Sequence, residues 1–565
     1  MPVIKNDLFS CIERNLKEIK NFNTQIWTPQ ELYDYPGVSV SYLDKAYLSD
    51  SINPWDLQDT PANVATFIIS QTGTGKTSLI FNKLIPLSVK EKRKVLYLCN
   101  RAALCTQIKK IAMEDEFNAN LTVNGVEVKN FMQYYTNQGL SELINFGGID
   151  IITYQGFIHN KLLNAKNYGF VVLDESHFFL SDSNFNPFTE EILHKIITSF
   201  SNTRRIYLTA TPQECMHEIW RYENEIIPYQ LHSPSFMRVF YMEENYSYLI
   251  PYFFAHQNEL IDIISSRSNE SWLIFVREKI FGNALRDKLL QVISDIPEVI
   301  TANTKDSKIY NDLLSKEKMP AKIIITTKIL DVGVNIKTSD LNVVLFEGPD
   351  IVEAKQMIGR KRVEQGEILK VYFHTPNVST LKKRAQKLEN AIKKTTGLIN
   401  SFRAGDVMES LEPPLFFDGS SVQINNFHLK KLKIDLNAHY EIVKFLESGA
   451  TVEEQNLLYA EWVLSHFKGV VYDKSKLFIR RPSAEAADFL KKYVDKIISK
   501  SDFQEISSTL VDILGDSRER PRNNAPAIKN VNKMIAPIGF EAKALQTNPV
   551  QYKIIKTEEI LNEQV

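Results

Sequence analysis

Short apolar runs alternate with helical stretches over residues 61–235 of the chain. Five runs of four to six residues are apolar and rich in β-branched or aromatic side chains: Ala65–Ser70, Val95–Cys99, Asp150–Thr153, Phe170–Leu173 and Arg205–Leu208. Continuous apolar runs of this kind, with helices between them, are typical of parallel strands buried on both faces. The pattern therefore predicts an α/β domain with helices on both sides of a parallel sheet.

The alternation is repeated over residues 236–395, which predicts a second α/β domain. Its apolar runs are Trp272–Val276, Ile323–Thr326, Val343–Phe346 and Ile368–Phe373. Residues 396–565 have mostly helical spacing, with β-like stretches at Ser421–Ile424 and Gln551–Ile555, and they form a predicted helical C-terminal accessory region. Within it, 528–555 is typical of a small winged-helix-like module. Residues 1–60 are a predicted N-terminal extension, with helical spacing at Leu8, Ile12, Leu16 and Ile19.

A phosphate-binding loop follows the first apolar run. The segment from Phe67 to Leu79 reads FIISQTGTGKTSL, in the order strand, glycine-rich turn, helix. Such a turn lets backbone N–H groups converge on an anion, while Lys76 reaches the β- and γ-phosphates and Thr77 holds Mg²⁺. Taken alone, the loop predicts only that a phosphate is bound; together with the motifs described below, the predicted cofactors are ATP and Mg²⁺. The predicted cradle is Ser70, Gln71, Thr72, Gly73, Thr74, Gly75, Lys76 and Thr77.

Two carboxylates follow the apolar run that ends at Leu173. Asp174 and Glu175 begin the sequence DESH, at the end of a predicted buried strand. A carboxylate there is costly unless it meets a cation, and beside a phosphate loop that cation is Mg²⁺, held by Asp174. Glu175 is placed to orient and deprotonate the attacking water. The structural alternative is that Asp174 only caps a helix.

These motifs, with Leu208–Pro212 (LTATP), resemble the first motor domain of a superfamily 2 helicase of the DExH type. Two further segments agree with the resemblance, Asn100–Leu104 and the sequence Thr153-Tyr154-Gln155. The resemblance implies that Arg101, Thr153 and Gln155 contact the nucleic-acid backbone. It also implies that His177, Thr209 and Thr211 couple the ATP site to nucleic acid. Thr209 and Thr211 are short hydroxyls that we expect to bond Glu175 or His177.

The second domain lacks a second GKT but resembles the same family in two motifs. The segment Ile323–Asn335 resembles the fifth motif, which implies a nucleic-acid contact for Thr327 and a nucleotide contact for Gly333. The sequence QMIGRKR resembles the sixth motif and implies that Gln356 and the arginines Arg360 and Arg362 complete the ATP site. An arginine from a second domain neutralises γ-phosphate charge across an interface, and either arginine fits that role. The resemblance implies two tandem RecA-like domains.

Composition narrows the biological setting. The chain has 565 residues, a net charge of −1 and four scattered cysteines, so we expect a reducing, cytoplasmic location and no disulfide framework. No apolar run is long enough to span a membrane. Because the chain as a whole is nearly neutral, nucleic acid would have to bind at a local basic patch. The helical stretch 379–397 is either such a stripe or a solvated face, with its cations at Lys382, Lys383, Arg384, Lys387, Lys393 and Lys394.

The leading functional hypothesis is an ATP-dependent helicase or translocase that binds nucleic acid mainly through its backbone, more often DNA than RNA. The alternative is an ATPase switch or motor subunit of a phage-defence or mobile-element complex that is stimulated by a nucleic-acid duplex or a partner protein and does not unwind strands. Upstream of the loop, Trp55 and Gln58 serve either adenine recognition or surface packing.

Overall fold

A computed structural model describes most of the chain from residue 38 to residue 556. The described ranges are 38–160, 163–227, 237–267, 269–301, 304, 307–330, 335–346, 350–364, 366–405, 411–478, 482–514, 528–536, 539–545 and 550–556. The predicted helix over Leu8–Ile19 and the predicted nucleotide contact Gly333 lie outside these residues.

An eight-stranded sheet forms the first domain, which we call lobe 1 (residues 38–227 and 237–242). Its strands are β1 Val38–Leu43, β2 Ala65–Ile69, β3 Lys94–Cys99, β6 Asn145–Phe146, β7 Ile149–Thr153, β8 Tyr168–Leu173, β9 Arg204–Thr209 and β10 Met237–Met242. The order is β1-β10-β2-β9-β8-β3-β7-β6, parallel throughout except for the β6–β7 pair. A separate hairpin joins β4 Thr122–Val123 to β5 Val126–Glu127.

Helices cover both faces of this sheet. They are α1 Leu48–Ser51, α2 Pro54–Gln58, α3 Lys76–Leu79, α4 Ile85–Lys90, α5 Ala102–Glu114, α6 Phe131–Tyr134, α7 Asn137–Glu142, α8 Tyr154–His159, α9 Phe178–Ser181, α10 Thr189–Ser199 and α11 Pro212–Ile226. A π-helical turn, Ile80–Leu84, joins α3 to α4. One apolar core lies on each face of the sheet, so the strands are buried on both sides.

A six-stranded, fully parallel sheet forms the second domain, lobe 2 (residues 249–374). Its strands are β11 Leu249–Phe254, β12 Ser271–Phe275, β13 Glu298–Ile300, β14 Ile323–Thr326, β15 Leu341–Leu345 and β16 Leu369–His374. The order is β11-β16-β15-β12-β14-β13. Its helices are α12 Gln257–Ser266, α13 Lys279–Leu289, α14 Lys308–Lys316 and α15 Ile351–Ile358. The predicted fold class, two tandem α/β domains with parallel sheets, is confirmed.

Two strands of lobe 1 lie outside the borders that the sequence predicts at residues 61 and 235. β1 and β10 pair with each other, and β10 also pairs with β2. β1 reads VSVSYL and is only partly buried, so it lacks the continuous apolar run on which the strand prediction rests. The edge strand β11 contains Pro251, which argues against a strand except at a sheet edge.

The C-terminal region is mostly helical, as predicted. Its helices are α16 Val378–Ala404, α17 Asn426–Leu446, α18 Val452–Ser465, α19 Pro482–Lys491, α20 Lys500–Leu514 and α21 Ile528–Ile535. The strands β17 Leu415–Phe417 and β18 Val422–Ile424 form a hairpin. The strands β19 Ile497–Ile498, β20 Phe540–Leu545 and β21 Gln551–Lys556 form an antiparallel sheet that shares a small core with α19, α20 and α21. Within the described ranges, no helix has the length and apolarity that crossing a membrane requires.

Candidate active site

The phosphate loop lies between β2 and α3, at the carboxyl edge of the lobe 1 sheet. Gly73 and Gly75 have φ angles of +87° and +86°, in the left-handed region that glycine adopts without strain. The Thr74 hydroxyl donates to the Gln71 carbonyl at 2.8 Å, and the Leu48 amide donates to the Thr74 carbonyl at 2.9 Å. The loop is therefore a fixed concave turn, as an anion cradle requires.

The side chains at the end of the loop fit a nucleotide phosphate and its metal. The Lys76 ammonium donates to the Ser70 carbonyl at 3.2 Å, so the cation already points back over the cradle. Thr77 follows on the first turn of α3, partly exposed. The residues present supply a cation, a hydroxyl and the nearby carboxylate of Asp174, a donor set suited to phosphate and Mg²⁺. When bound, Mg²⁺ would supply charge neutralisation for the phosphates.

Asp174 lies directly after β8, close to the loop. Its carboxylate accepts a hydrogen bond from the buried Tyr97 hydroxyl and a second, at 3.0 Å, from the Glu175 amide. Burial, with the charge of Glu175, raises the pKa of Asp174 to about 6. A buried carboxylate without a cation is expected to have a raised pKa, and a bound divalent ion would restore the charged form.

Glu175 is held in a strained backbone conformation, with φ at +50°. Such geometry costs of the order of 1–3 kcal/mol in a non-glycine residue and clusters at functional sites. Burial opposes ionisation of Glu175, but the positive charges of Lys76 and of the two arginines of lobe 2 hold its pKa below the ordinary value. The carboxylate is therefore charged at neutral pH, the form that a general base needs.

His177 connects Glu175 to lobe 2. Its Nδ1 lies 3.4 Å from a carboxylate oxygen of Glu175, and its Nε2 lies 2.9 Å from the side-chain nitrogen of Gln356 on α15. Burial lowers the pKa of His177, so the ring is neutral. His177 therefore lies next to Glu175 without a hydrogen bond to it and is hydrogen-bonded to Gln356 across the cleft between the lobes.

Thr209 and Thr211 lie beside the same site, but their hydroxyls do not bond Glu175 or His177. The Thr209 hydroxyl accepts from the Thr211 amide at 3.0 Å, and the buried Thr211 hydroxyl has no hydrogen-bond partner among the described residues. The expected side-chain contact is therefore wrong in this structure. Thr209 is instead joined to the phosphate loop through the backbone, because the Ser70 amide donates to the Thr209 carbonyl at 3.1 Å.

Of the two candidate arginines of lobe 2, Arg360 is buried and Arg362 is partly buried. Arg360 is 5% exposed and donates to the Gln356 carbonyl at 3.1 Å. Arg362 donates to the Asn335 side chain at 2.7 Å, and its guanidinium lies 3.4 Å from where a Cβ of Gly73 would be. Burial and the neighbouring Arg360 lower the pKa of Arg362 to about 10, which leaves it charged at neutral pH. Arg362 thus reaches the phosphate loop.

Gly359 lets the turn after α15 approach the phosphate loop. A Cβ at this position would overlap the Thr72 hydroxyl. The backbone of lobe 2 at Gly359 therefore packs directly against the phosphate loop of lobe 1, and a larger residue at position 359 would push the two apart.

The predicted nucleic-acid contacts are dispersed in this structure. Arg101 forms a two-pronged ion pair with the buried Asp182, with one of the bonds at 3.2 Å. The Thr153 hydroxyl accepts from the Gly156 amide at 3.0 Å and so caps α8, with Gln155 half-buried on that helix. Thr327 is half-buried after β14. A cavity of about 1030 Å³ lies between the lobes, and of these four residues Arg101 is the one that lines it.

Three residues that contact the predicted phosphate loop escaped prediction from the sequence: Tyr47, Asn245 and Tyr248. Gln71 of the loop donates to the Tyr248 hydroxyl at 3.0 Å and accepts from the Asn245 amide at 3.0 Å, so it joins the loop to the linker before lobe 2. Tyr47 lies against Gly75. Tyr47 and Tyr248 do not belong to a short sequence motif, so their contacts with the loop can be found only in the folded structure. Gln58 instead donates to Glu91 at 2.8 Å, which agrees with surface packing.

Comparisons with known proteins agree with this description. Residues 44–214 match the family model described as "Type III restriction enzyme, res subunit", a segment that includes the phosphate loop, DESH and LTATP. No curated protein sequence is significantly similar to the chain.

Solved structures resemble the chain only distantly. S. cerevisiae Dbp5 bound to RNA and ADP BeF3 is 18% identical, over 57% of this chain and 83% of that chain, with a TM-score of 0.42. Mss116p bound to ssRNA and AMP-PNP is 15% identical, over 65% and 89%, with a TM-score of 0.42. A DEAD box protein from the hyperthermophile Methanococcus jannaschii is 16% identical, over 57% and 84%, with a TM-score of 0.33. These similarities are too low to assign a substrate to this chain.

Proposed function

We propose that this superfamily 2 helicase-type ATPase is a nucleic-acid motor that hydrolyses ATP in the cleft between its two lobes. The family match confirms the helicase-type ATPase that the motifs predict. The observation that supports a motor is the meeting of both lobes at the phosphate loop. Arg362 and Gly359 of lobe 2 lie against Gly73 and Thr72 of lobe 1. A site completed across an interface makes hydrolysis depend on the relative position of the lobes.

Each residue has a role that follows from its place. Lys76 would hold the β- and γ-phosphates, and Thr77 with Asp174 would hold Mg²⁺. Glu175 would orient the attacking water and accept its proton. Arg362 would stabilise charge on the γ-phosphate, with Arg360 beside it.

Coupling to nucleic acid would run through His177 and Gln356. The two side chains are hydrogen-bonded to each other, His177 lies next to Glu175, and both border the large cavity between the lobes. A strand that displaces either side chain would therefore alter the position of the general base. This proposal keeps four predicted contacts with the nucleic-acid backbone: Arg101, Thr153, Gln155 and Thr327.

DNA and a partner protein are the proposed partners. The matched family is described as a subunit of a restriction enzyme, and this description supports DNA and a multi-subunit setting. A reducing, cytoplasmic location belongs to the same proposal, since the buried Cys99 and Cys105 do not form a disulfide.

The test is the rate of ATP hydrolysis against single- and double-stranded DNA and RNA. A motor gives stimulated turnover with at least one nucleic acid and ATP-dependent displacement of a labelled strand from a forked substrate. Stimulation with no displacement on any substrate favours the switch or motor-subunit alternative. Undiminished turnover in Lys76→Ala would contradict the assignment of the nucleotide site.

A further inference from the structure

The linker between the lobes, residues 243–248, lies where three parts of the chain meet. The phosphate loop of lobe 1, helix α15 of lobe 2 and the segment 467–469 after α18 each contact it. We call the segment 467–469 the C-terminal clamp. Connections between domains are usually exposed and make few contacts, so a linker with three sets of contacts calls for a physical explanation.

Gln71 of the phosphate loop uses both ends of its side-chain amide to bind the linker. The nitrogen donates to the Tyr248 hydroxyl at 3.0 Å, and the oxygen accepts from the Asn245 backbone amide at 3.0 Å. Gln71 is 9% exposed, so loss of these bonds would leave its partners with little access to water. Its backbone carbonyl accepts the hydrogen bond from Thr74 that closes the loop. One residue therefore fixes the turn of the loop and attaches this turn to the linker.

A turn within the linker sets the direction of the amide that Gln71 binds. The Asn245 side-chain oxygen accepts from the Ser247 amide at 2.9 Å, and the Tyr246 carbonyl accepts from the Leu249 amide at 2.9 Å. An asparagine side chain that bonds the backbone two residues further on is a common way to fix a turn. A change in this turn would therefore move a hydrogen-bond partner of the phosphate loop.

The C-terminal clamp packs against the same turn. The Tyr246 amide donates to the Lys468 carbonyl at 2.7 Å, and the Tyr246 ring meets the Phe467 ring edge to face, with ring centres 5.0 Å apart. Both rings are buried in the core of lobe 2. Lys468 also forms an ion pair with Glu243. Because an aromatic pair in a core is held firmly, the clamp gives the linker a fixed point of attachment.

Gly469 brings the clamp into contact with the hydrogen bond that forms the turn. Its φ is +86°, and a Cβ at this position would lie 3.0 Å from the Asn245 side-chain oxygen and 3.4 Å from the Ser247 amide nitrogen. These two atoms are the acceptor and the donor of the bond within the linker. A larger residue at position 469 would therefore press directly on the turn.

A buried ion pair attaches the linker to lobe 2 as well. Lys355 of α15 pairs with Glu244 at 2.5 Å, and the Lys355 ammonium lies 5.7 Å from the centre of the Tyr246 ring. The charged side chains are 7% and 15% exposed, and separating such a pair leaves a buried charge without its partner. The linker is thus held on the helix that precedes Arg360 and Arg362, and its position is defined relative to both lobes.

We propose that Gln71 is a positioning residue for the phosphate loop, and that the C-terminal clamp sets its position through the linker. The inference rests on the proposed function, because it assumes that the loop binds ATP. A displaced turn moves the groups that hold Gln71, and the loop then loses the conformation in which its N–H groups converge on phosphate. The C-terminal region thereby controls the affinity of lobe 1 for ATP.

The contact between the loop and the linker is tested with Gln71→Leu, which removes both bonds, and Tyr248→Phe, which removes one. The loop binds phosphate before and during hydrolysis, so its displacement raises KM and leaves kcat nearly unchanged. KM for ATP and the Kd of a fluorescent ATP analogue are expected to rise by about 3- to 30-fold in Gln71→Leu and by about 2- to 10-fold in Tyr248→Phe.

The control for the lost hydroxyl is Tyr252→Phe on β11, which is expected to keep the wild-type KM and Kd. A wild-type Kd in both Gln71→Leu and Tyr248→Phe would overturn the positioning role. A fall in kcat at unchanged KM would overturn it too, because that result places the effect on the chemical step.

The clamp is tested at a distance with Gly469→Ala against Gly405→Ala. Gly405 has a similar φ of +82°, but a Cβ there meets no atom within 4 Å, so the two variants share the backbone strain and differ in the pressure on the linker. Hydrogen exchange of a peptide that covers 70–76 is measured without nucleotide, together with the Kd of the ATP analogue. Gly469→Ala is expected to exchange faster in this peptide and to bind about 3- to 10-fold more weakly.

Gly405→Ala is expected to keep the wild-type exchange and affinity. Equal exchange of the 70–76 peptide in the two variants overturns the control of the loop by the clamp. A wild-type protein that binds no ATP analogue contradicts the proposed function itself, and in that case the exchange comparison still decides whether the clamp acts on the loop.

Discussion

The two lobes have similar parallel sheets and very different chemistry. In lobe 1, the carboxyl edge of the sheet carries the phosphate loop and the pair Asp174 and Glu175. In lobe 2, the described residues contain no second phosphate loop, and the reactive side chains follow α15 instead. Under the proposed function, lobe 1 supplies most of the groups that bind the nucleotide, and lobe 2 supplies the arginines that act on it. The comparison therefore predicts that nucleotide binding depends mainly on lobe 1, while hydrolysis depends on the interface between the lobes.

The largest expected effect comes from removing the cation that lobe 2 places on the loop. Arg362→Ala is predicted to reduce kcat for ATP hydrolysis by about 10³- to 10⁵-fold, because a charge-stabilising arginine acts mainly in the transition state. Nucleotide affinity is expected to change little. Steady-state turnover and equilibrium nucleotide binding are measured together, with Arg286→Ala on the surface of α13 as the control. A loss of affinity as large as the loss of kcat would contradict the division between the lobes.

A somewhat smaller effect is expected for the base in lobe 1. Glu175→Gln is predicted to lower kcat by about 10²- to 10⁴-fold, because the amide orients water but does not accept its proton. ATP binding is expected to persist, in contrast to Lys76→Ala, which removes a phosphate contact. Single-turnover hydrolysis and ATP binding separate the two variants, and wild-type turnover in Glu175→Gln would refute the base assignment.

The approach of the lobes is tested at Gly359. Gly359→Ala places a methyl group where the Thr72 hydroxyl lies, so the lobes cannot close to the observed distance. A displacement of about 1 Å at a catalytic interface costs about 10²-fold in rate. Turnover is compared with that of Gly397→Ala, whose added Cβ meets no atom within 4 Å. Similar rates in the two variants would show that closure does not need this contact.

The smallest expected effect is a difference between the two lobes in how pH changes their stability. Burial lowers the pKa of His374 in lobe 2 to about 4, so the folded protein binds fewer protons there than the unfolded chain. Its contribution to stability is present above about pH 6.5 and is lost as the pH falls through about 4, by up to about 3 kcal/mol. Asp174 in lobe 1 has the opposite sign, because its pKa is raised and its cost to stability disappears on acidification.

Thermal unfolding of the wild type and of His374→Gln between pH 7 and pH 4 measures this difference. The variant is expected to lose part of the acid sensitivity, whereas the exposed His194→Gln keeps it. Identical pH profiles for the wild type and His374→Gln would exclude His374 as the acid-sensitive group of lobe 2.

Much of the fold followed from the sequence because buried parallel strands are continuous apolar runs. The runs before Ser70, Asn100 and Asp174 are strands of one sheet, and their carboxyl ends meet at one edge. Two of the strands that escaped prediction lack this pattern: β1 is only half buried, and the edge strand β11 includes a proline. The domain borders and the individual site roles remain predictions.

The sequence by itself determined the order of the motifs, the parallel α/β architecture and the identity of the groups that are predicted to bind phosphate. These are local properties, since a glycine-rich turn between a strand and a helix makes its cradle from its own backbone. Only the tertiary structure decided that Arg362 reaches the loop, that His177 meets Gln356, and that Lys383 and Lys387 face a cavity. The spacing of residues along a helix states which side chains share a face. What that face meets depends on how helices and lobes pack, and residues distant in sequence decide that packing.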